Sequence, residues 1–452
     1  MATTSIQRSR TAGTTKTKFT ISMWFKRSAL NVKYLIANYT DDNNRAFLQF
    51  DGSNKLYFAS KYSGTNYAVL ETKRQFQDPN AWYHIVLNGD TTTGSAADMH
   101  KLYVNGVRET ALGSTTNPSG SDAFYWNEAT TNGFRIGEKG DGSDYFDGLM
   151  SHVHFCDGYT YQASDFGSFD ATTGEWKIKT APDVSYGTNG FFLKMEDSSN
   201  MDLDSSSNAL TFTTNGSLTK TEDCPSNVFC AGNPLAVYGG NLSYSNRNTT
   251  ITGGSSWQMG SATMGASKGK YYFEYKITTL GSGGGYHKLG FISDEAAGID
   301  TVSHNADTAL DGGYAFYFQN GDLEVRTDSA VITGYDGSTL GISLSLNDIM
   351  CLAVDMDNKR AYMRKNDGAW IKSGDPVAGT NGLDISADYT TGKRMIPAYS
   401  TYENGVGSLN FGDGYFGTTA VSSAGTNASG IGIFEYDVPT GYTALSTKGL
   451  NE

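Results

Sequence analysis

Apolar and polar residues change places along this chain over short runs, and Gly, Asn and Asp separate the runs. Residues 19–26 read FTISMWFK, and residues 46–50 and 55–59 flank the turn Asp51-Gly52-Ser53-Asn54. Residues 82–87 (WYHIVL) and 101–104 (KLYV) follow, and Asn105-Gly106 turns the chain into Val107-Arg108-Glu109. Residues 134–137, 149–155 and 191–195 continue the series. Short β-branched and aromatic runs joined by such turns predict antiparallel strands. No stretch long enough for a helix carries apolar residues at i, i+3, i+4 and i+7.

A second series predicts strands at 270–277 (KYYFEYKI), 288–293 (KLGFIS), 314–318 (YAFYF) and 349–355 (IMCLAVD). Further strands are expected at 360–364, 395–399 and 408–411. Between the series lies TEDCPSNVFCAGNPLA, with two of the eight prolines and two close cysteines. It reads as a linker. The expectation is an all-β chain of two antiparallel β-sandwich (jelly-roll) domains in tandem, 1–220 and 237–452, joined by a linker over 221–236.

Composition agrees. The 452 residues include 54 Gly, 28 Tyr and 23 Phe, and only 18% are charged. The net charge of −13 disfavours nucleic acid and anionic membrane as partners, because both need clustered Lys and Arg. No apolar run approaches the roughly 18 residues of a membrane span. The opening MATTSIQRSRTAGTTKTK lacks the features of a secretory leader. It is expected to be the first edge segment of a sandwich, or a strap on a neighbouring subunit. The four cysteines show no CxxC spacing and are expected as thiols, in a protein folding in a cytosol. Cys224 and Cys230 are close enough to bridge, and the spacing leaves that open.

Candidate chemistry is sparse. Asp141, Asp144 and Asp147 cluster in GDGSDYFDG, with Asp157 beyond. Carboxylates and carbonyls in such a loop suit calcium, the one cofactor the pattern admits, although Asp-Gly is also ordinary turn chemistry. Asp41-Asp42-Asn43-Asn44 is a second such loop. His152 and His154 would share one face of a strand and could reach one metal, but no third ligand is identifiable. Two histidines on a sheet face is the commoner arrangement. Residues 412–417 match GxGxxG without the helix that phosphate binding needs. No GxSxG elbow or E-x-D-x-x-E strand occurs, and Glu274 stands alone on its strand, so no enzyme is expected. Tyr62, Tyr67, Trp126, Tyr145, Tyr286 and Trp370 lie in or beside loops, where a sugar could stack. For any single one of them, core packing is the commoner role.

Four segments, FTISMWFKRS, AWYHIVLNGD, KLYVNGV and FDGLMSHVHFCDG, resemble the concanavalin A-like, laminin-G-like sandwich. The opening arm and the segment DGYTYQASDFGSFDATTGEWKIK, followed by SYGTNGFFLKMEDSSN, resemble such modules of bacteriophage structural proteins, marine ones in particular. GKYYFEYKI, LGFIS, DIMCLAVDMDNKRAYMRKNDGAW, SLNFGDGYF and VPTGYTALSTKGL resemble a SPRY-type sandwich. The resemblance implies a structural component on the outer surface of a phage particle: a tail fibre, short spike or capsid decoration. It implies other virion proteins and further copies of this chain as partners, and folding in the host cytoplasm before assembly. It implies no ligand; host cell-surface polysaccharide is expected from the exposed aromatic and polar loops instead. The alternatives are an architectural protein without ligand and a polysaccharide-degrading enzyme.

Overall fold

A computed structural model describes residues 3–451 apart from 14, 121, 239–241, 256–257, 283–284, 295–312, 320–321, 328–329 and 391. Strands dominate, with a few single-turn helices such as Ala163–Phe166. The chain divides into two compact units, Met1–Lys220 and Thr221–Glu452. Each unit is two packed antiparallel sheets, the tandem sandwich architecture expected from the strand pattern.

In the first unit an eight-stranded sheet runs in the order Leu112–Thr116, Thr65–Gln75, Lys55–Tyr62, Asn44–Phe50, Lys33–Asp41, Thr130–Ile136, Ser5–Arg10, Thr213–Asn215. It faces a six-stranded sheet ordered Phe191–Leu193, Gly148–Asp157, Lys18–Arg27, Trp82–Asp90, His100–Val104, Val107–Arg108. Alternation decides the layers. Phe19, Ile21, Met23 and Phe25 point into the core between the sheets with Leu48, Phe58, Ile85 and Leu87. The opposite face of the same strand would be solvated in a bare sandwich, yet Thr20, Ser22, Trp24 and Lys26 are buried too.

The cover is the segment that follows Gly148–Asp157. Its helix Ala163–Phe166 and its ribbon of Gly167–Phe169 with Trp176–Ile178 lie over the outer face of the six-stranded sheet. Hydrogen bonds tie the two together: Thr20 donates to the Tyr159 carbonyl at 2.9 Å, and Asn88 to the Tyr161 carbonyl at 2.6 Å. The opening arm is therefore not an edge. Ser5–Arg10 pairs on one side with Thr130–Ile136 and on the other with Thr213–Asn215, so a late segment supplies the edge instead. Arg10 pins this joint. Its guanidinium bonds the Trp126 carbonyl and Asp157 Oδ1 (3.0 Å), and both side chains of the ion pair are 1% exposed.

The second unit repeats the plan. A seven-stranded sheet centred on Tyr286–Ser293 and Met395–Thr401 packs on a sheet centred on Lys270–Thr279 and Ile349–Asp355. Phe273, Tyr275, Leu289, Phe291 and Leu352 fill the core. Tyr272 and Glu274 look outward from the same strand, but Phe434, Val438 and Tyr442 cover that face. No disulfide joins Cys156, Cys224, Cys230 or Cys351. Asp413, in the GxGxxG match, is buried and paired with Arg247 at 3.1 Å, and no long helix follows it.

Candidate functional site

Two hairpin turns lie side by side at one end of the eight-stranded sheet of the first unit. In the first, Asp41 Oδ1 accepts the backbone N–H of Asn43 (2.8 Å) and the side-chain amide of Asn44 (3.1 Å), an Asx turn. In the second, Ser63 (φ 44°) and Gly64 (φ 83°) both occupy the left-handed region that a two-residue hairpin needs. The turns lock together: Gly64 N–H donates to the Asn43 carbonyl at 3.0 Å, and Ser63 N–H to Asn44 Oδ1 at 3.0 Å. Asp41, Asp42, Asn43, Ser63, Gly64, Thr65 and Asn66 are exposed, so the rim presents acceptors, amides and backbone groups to solvent.

Behind the rim stands a tyrosine cluster. Tyr62, half-buried, lies 5.4 Å from Tyr67 and meets Tyr125 edge-on at 4.8 Å. Each hydroxyl is placed. Tyr62 donates to Glu128 Oε1, and Lys16 holds the other carboxyl oxygen at 2.7 Å. Tyr67 donates to the Ala123 carbonyl and accepts the Tyr125 N–H at 3.0 Å. Tyr125 donates to Thr40 Oγ1 at 2.8 Å. Burial pushes the Tyr62 and Tyr67 hydroxyls far above the usual phenol range, and Glu128 adds to it at Tyr62, so both stay protonated donors.

Of the aromatic residues expected at a ligand site, Tyr62 and Tyr67 therefore come together. Trp126 is a correction. The short turn Tyr125–Asn127 buries both rings: Tyr125, 6% exposed, lies against Tyr62, and Trp126 stacks on Phe134 (6.0 Å) and Phe58 (6.4 Å) and is fully buried. The apolar environment outbids the surface for the larger ring. Tyr145 is half-buried, and burial and the nearby Glu138 carboxylate raise its hydroxyl above the usual phenol range. Trp370 packs against Tyr362 beneath the Arg364 guanidinium, 4.9 Å from its ring. Tyr286 meets Tyr402 edge-on at 5.5 Å in the second unit. A shallow cleft of about 430 Å³ in that unit is lined by Thr278–Ser282, Leu346, Glu403 and Asn404. Tyr125, Glu128 and Lys16 were missed by sequence reading; the run DAFYWNEAT signalled an aromatic turn without saying which ring packs against Tyr62.

The calcium expectation is corrected as well. Asp141, Asp144 and Asp147 do not converge, and no group of three metal-ligating side chains occurs among the described residues. Asp141 takes the backbone N–H (3.1 Å) and hydroxyl of Ser143. The Asp144 and Asp147 carbonyls accept from Tyr34 and Ser28. The cation between the two acidic loops is Lys139, 2.7 Å from Asp141 and 3.2 Å from Asp42. His152 and His154 do not sit as an alternating pair either. A bulge between Ser151 and His154 puts His152 at φ 50°, and the rings lie 6.5 Å apart. Their Nδ1 atoms are taken by Ser151 (2.8 Å) and Tyr186 (3.0 Å).

Two arrangements look catalytic and are disarmed by their surroundings. Ser22 Oγ lies 2.9 Å from His84 Nε2, like a nucleophile and its base. But Trp176 donates to His84 Nδ1 at 3.0 Å, so in the neutral ring Nε2 holds the proton and cannot take one from Ser22. Burial pushes this imidazole down to about 3, and both residues are 1% exposed. Glu274, pushed up to about 7 by burial, is in a range that suits a general acid. It is fully buried, and its oxygens accept from Glu435 N, Tyr436 N, Tyr272 and Asn410. It clamps the covering segment to the sheet and meets no solvent.

Residues 2–163 match the family model described as the concanavalin A-like lectin/glucanases superfamily. No curated protein matches the chain. Among solved structures, a putative carbohydrate binding protein from Bacteroides ovatus is similar at 20% identity, covering 47% of this chain and 56% of its own, with a TM-score of 0.30. The SPRY domain of human HERC1 is similar at 15% identity, covering 40% and 96%, with a TM-score of 0.29. A pentraxin from Limulus polyphemus is similar at 14% identity, covering 42% and 91%, with a TM-score of 0.29. At such scores these likenesses carry no functional argument.

Proposed function

We propose that the chain is a non-catalytic carbohydrate-binding protein that engages glycan at the rim of its first sandwich. The observation that carries this is the junction of Tyr62, Tyr67 and Tyr125 with two polar hairpin turns. A half-buried ring offers an apolar face to the C–H side of a sugar. The exposed carboxylates, amides and backbone groups around it suit hydroxyls. The match of residues 2–163 to a superfamily of lectins and glucanases supports the same reading. Asp41 is not poised as an acid: donors from Asn44 and Asn43 hold it below the usual carboxylate range.

The setting we propose is the outer surface of a phage particle, with other virion proteins and further copies of this chain as partners. Its support is the likeness of the opening arm and of the covering segment after Asp157 to phage structural proteins. The binding test is retention on a panel of immobilised polysaccharides. Wild type should be retained on at least one, and Tyr62→Ala should lose retention while its melting curve stays close to wild type. Equal retention of both proteins would sink the rim as the site. For the setting, antibody–gold should label intact particles, and absence of label on particles that bind a control antibody would remove the virion role.

A further inference from the structure

We infer that the rim selects neutral sugars and turns acidic ones away; this rests on the carbohydrate reading above. The inference comes from where the cations at the rim are spent. Lys16 is bound to Glu128 at 2.7 Å. Arg45 is bound to Asp42 at 2.5 Å. Lys139 lies between Asp141 and Asp42 at 2.7 and 3.2 Å. Lys61 is the cross-strand partner of Arg45, and both side chains leave by the Phe47 face of the sheet, opposite the Tyr62 ring. Asp41 is fully exposed and holds only neutral donors, Asn43 N–H and the Asn44 amide.

A uronate, sialate or sulfate is recognised through charge-assisted bonds, best from an Arg or Lys free to turn toward it. Here Lys16 would first have to leave Glu128, and Arg45 and Lys139 would have to leave Asp42, and those carboxylates would stay beside the incoming anion. Asp42, with 62% of its side chain exposed, and Asp41 stand exposed at the turn beside the tyrosines, and the Arg45 and Lys139 charges there are already taken by Asp42 and Asp141. One like-charge contact at about 4 Å in water weakens binding by about fivefold. A neutral sugar meets none of this. Its hydroxyls donate to Asp41, Asp42 and the backbone carbonyls, accept from Asn and Ser, and leave the ion pairs intact.

The test measures retention of the full chain on neutral polymers (dextran, mannan, galactan) and acidic ones (polygalacturonate, heparin), each at low and high salt. Wild type should bind a neutral polymer with little salt dependence and acidic polymers at least about fivefold more weakly. Asp42→Asn releases Arg45 and Lys139 and should narrow that gap. Asp41→Asn, in an exposed turn that Asn tolerates, should narrow it less and serves if the first variant melts early. Tighter binding to an acidic polymer, lost in Tyr62→Ala, would overturn the inference and leave the carbohydrate reading standing. An unchanged gap in both Asp variants would also overturn it. Binding to no polymer would remove the carbohydrate reading and this inference with it.

Discussion

Arg10 and Asp157 make the sharpest prediction about what holds the first sandwich together. Both side chains are 1% exposed and 3.0 Å apart. The guanidinium lies 5.0 Å from the Phe134 ring and 4.9 Å from that of Phe155, and it also bonds the Trp126 carbonyl. Asp157 Oδ2 accepts the N–H and the side-chain amide of Asn189, each at 3.1 Å. The pair thus ties the opening strand, the turn that carries Tyr125, the end of Gly148–Asp157 and the covering segment to one point. Arg10→Met fills similar space but leaves a buried carboxylate without its counter-charge, which costs about 3–5 kcal/mol. A domain's whole stability is about 5–15 kcal/mol. Arg10→Met/Asp157→Leu removes both charges and leaves mainly the Asn189 donors unmet, about 1–3 kcal/mol. The double variant should therefore be more stable than the single. The assay is urea unfolding of the full chain followed by tryptophan fluorescence, because four of the six tryptophans (Trp24, Trp82, Trp126, Trp176) belong to the first unit. A single variant within about 1 kcal/mol of wild type, or a double variant no better than the single, would refute the reasoning.

Three further outcomes are expected. Burial holds His84 near 3, His100 and His152 near 4, and His154 well below its ordinary value; the unfolded chain takes up these protons near pH 6.5, so first-unit stability should be full above 6.5 and fall steadily from there to pH 4 in urea melts. Glu274 acts the other way in the second unit: its folded carboxyl keeps a proton up to about 7 that the unfolded chain releases near 4.5. It should therefore weaken that unit as pH rises between those values, a dependence Glu274→Gln should abolish, with His287, held near 4, as the acid-side opponent. Trp126→Ala should destabilise the first unit by about 3–5 kcal/mol, whereas Tyr62→Ala should spare most of the stability and remove glycan retention. Millimolar calcium or a chelator should leave the melting temperature unchanged, because Lys139 already bridges the acidic loops; a rise of several degrees with calcium, lost in Asp141→Asn, would overturn that account.

The strand pattern was legible because it is local. Alternation in FTISMWFK and KYYFEYKI, with Asn-Gly and Asp-Gly turns between runs, needs no distant partner to be read. The class of residue at the site was legible for the same reason: Tyr62 and Tyr67 flank a turn, and Asp41–Asn44 is a turn. Which of these meet was not. Tyr125 joins Tyr62 only because a single 3-10 turn rotates Trp126 inward, and Lys139 reaches Asp42 across nearly a hundred residues. The histidine pair misled because a bulge breaks the two-residue period on which the expectation stood. Nor does alternation reveal that both outward sheet faces are covered, since a face polar enough for solvent can also be closed by hydrogen bonds such as those of His84 and Glu274. Local backbone preference sets elements and turns, but the choice of partner for a charge or a ring depends on which groups the packed sheets bring within a few ångströms, and that is decided only when the chain has closed on itself.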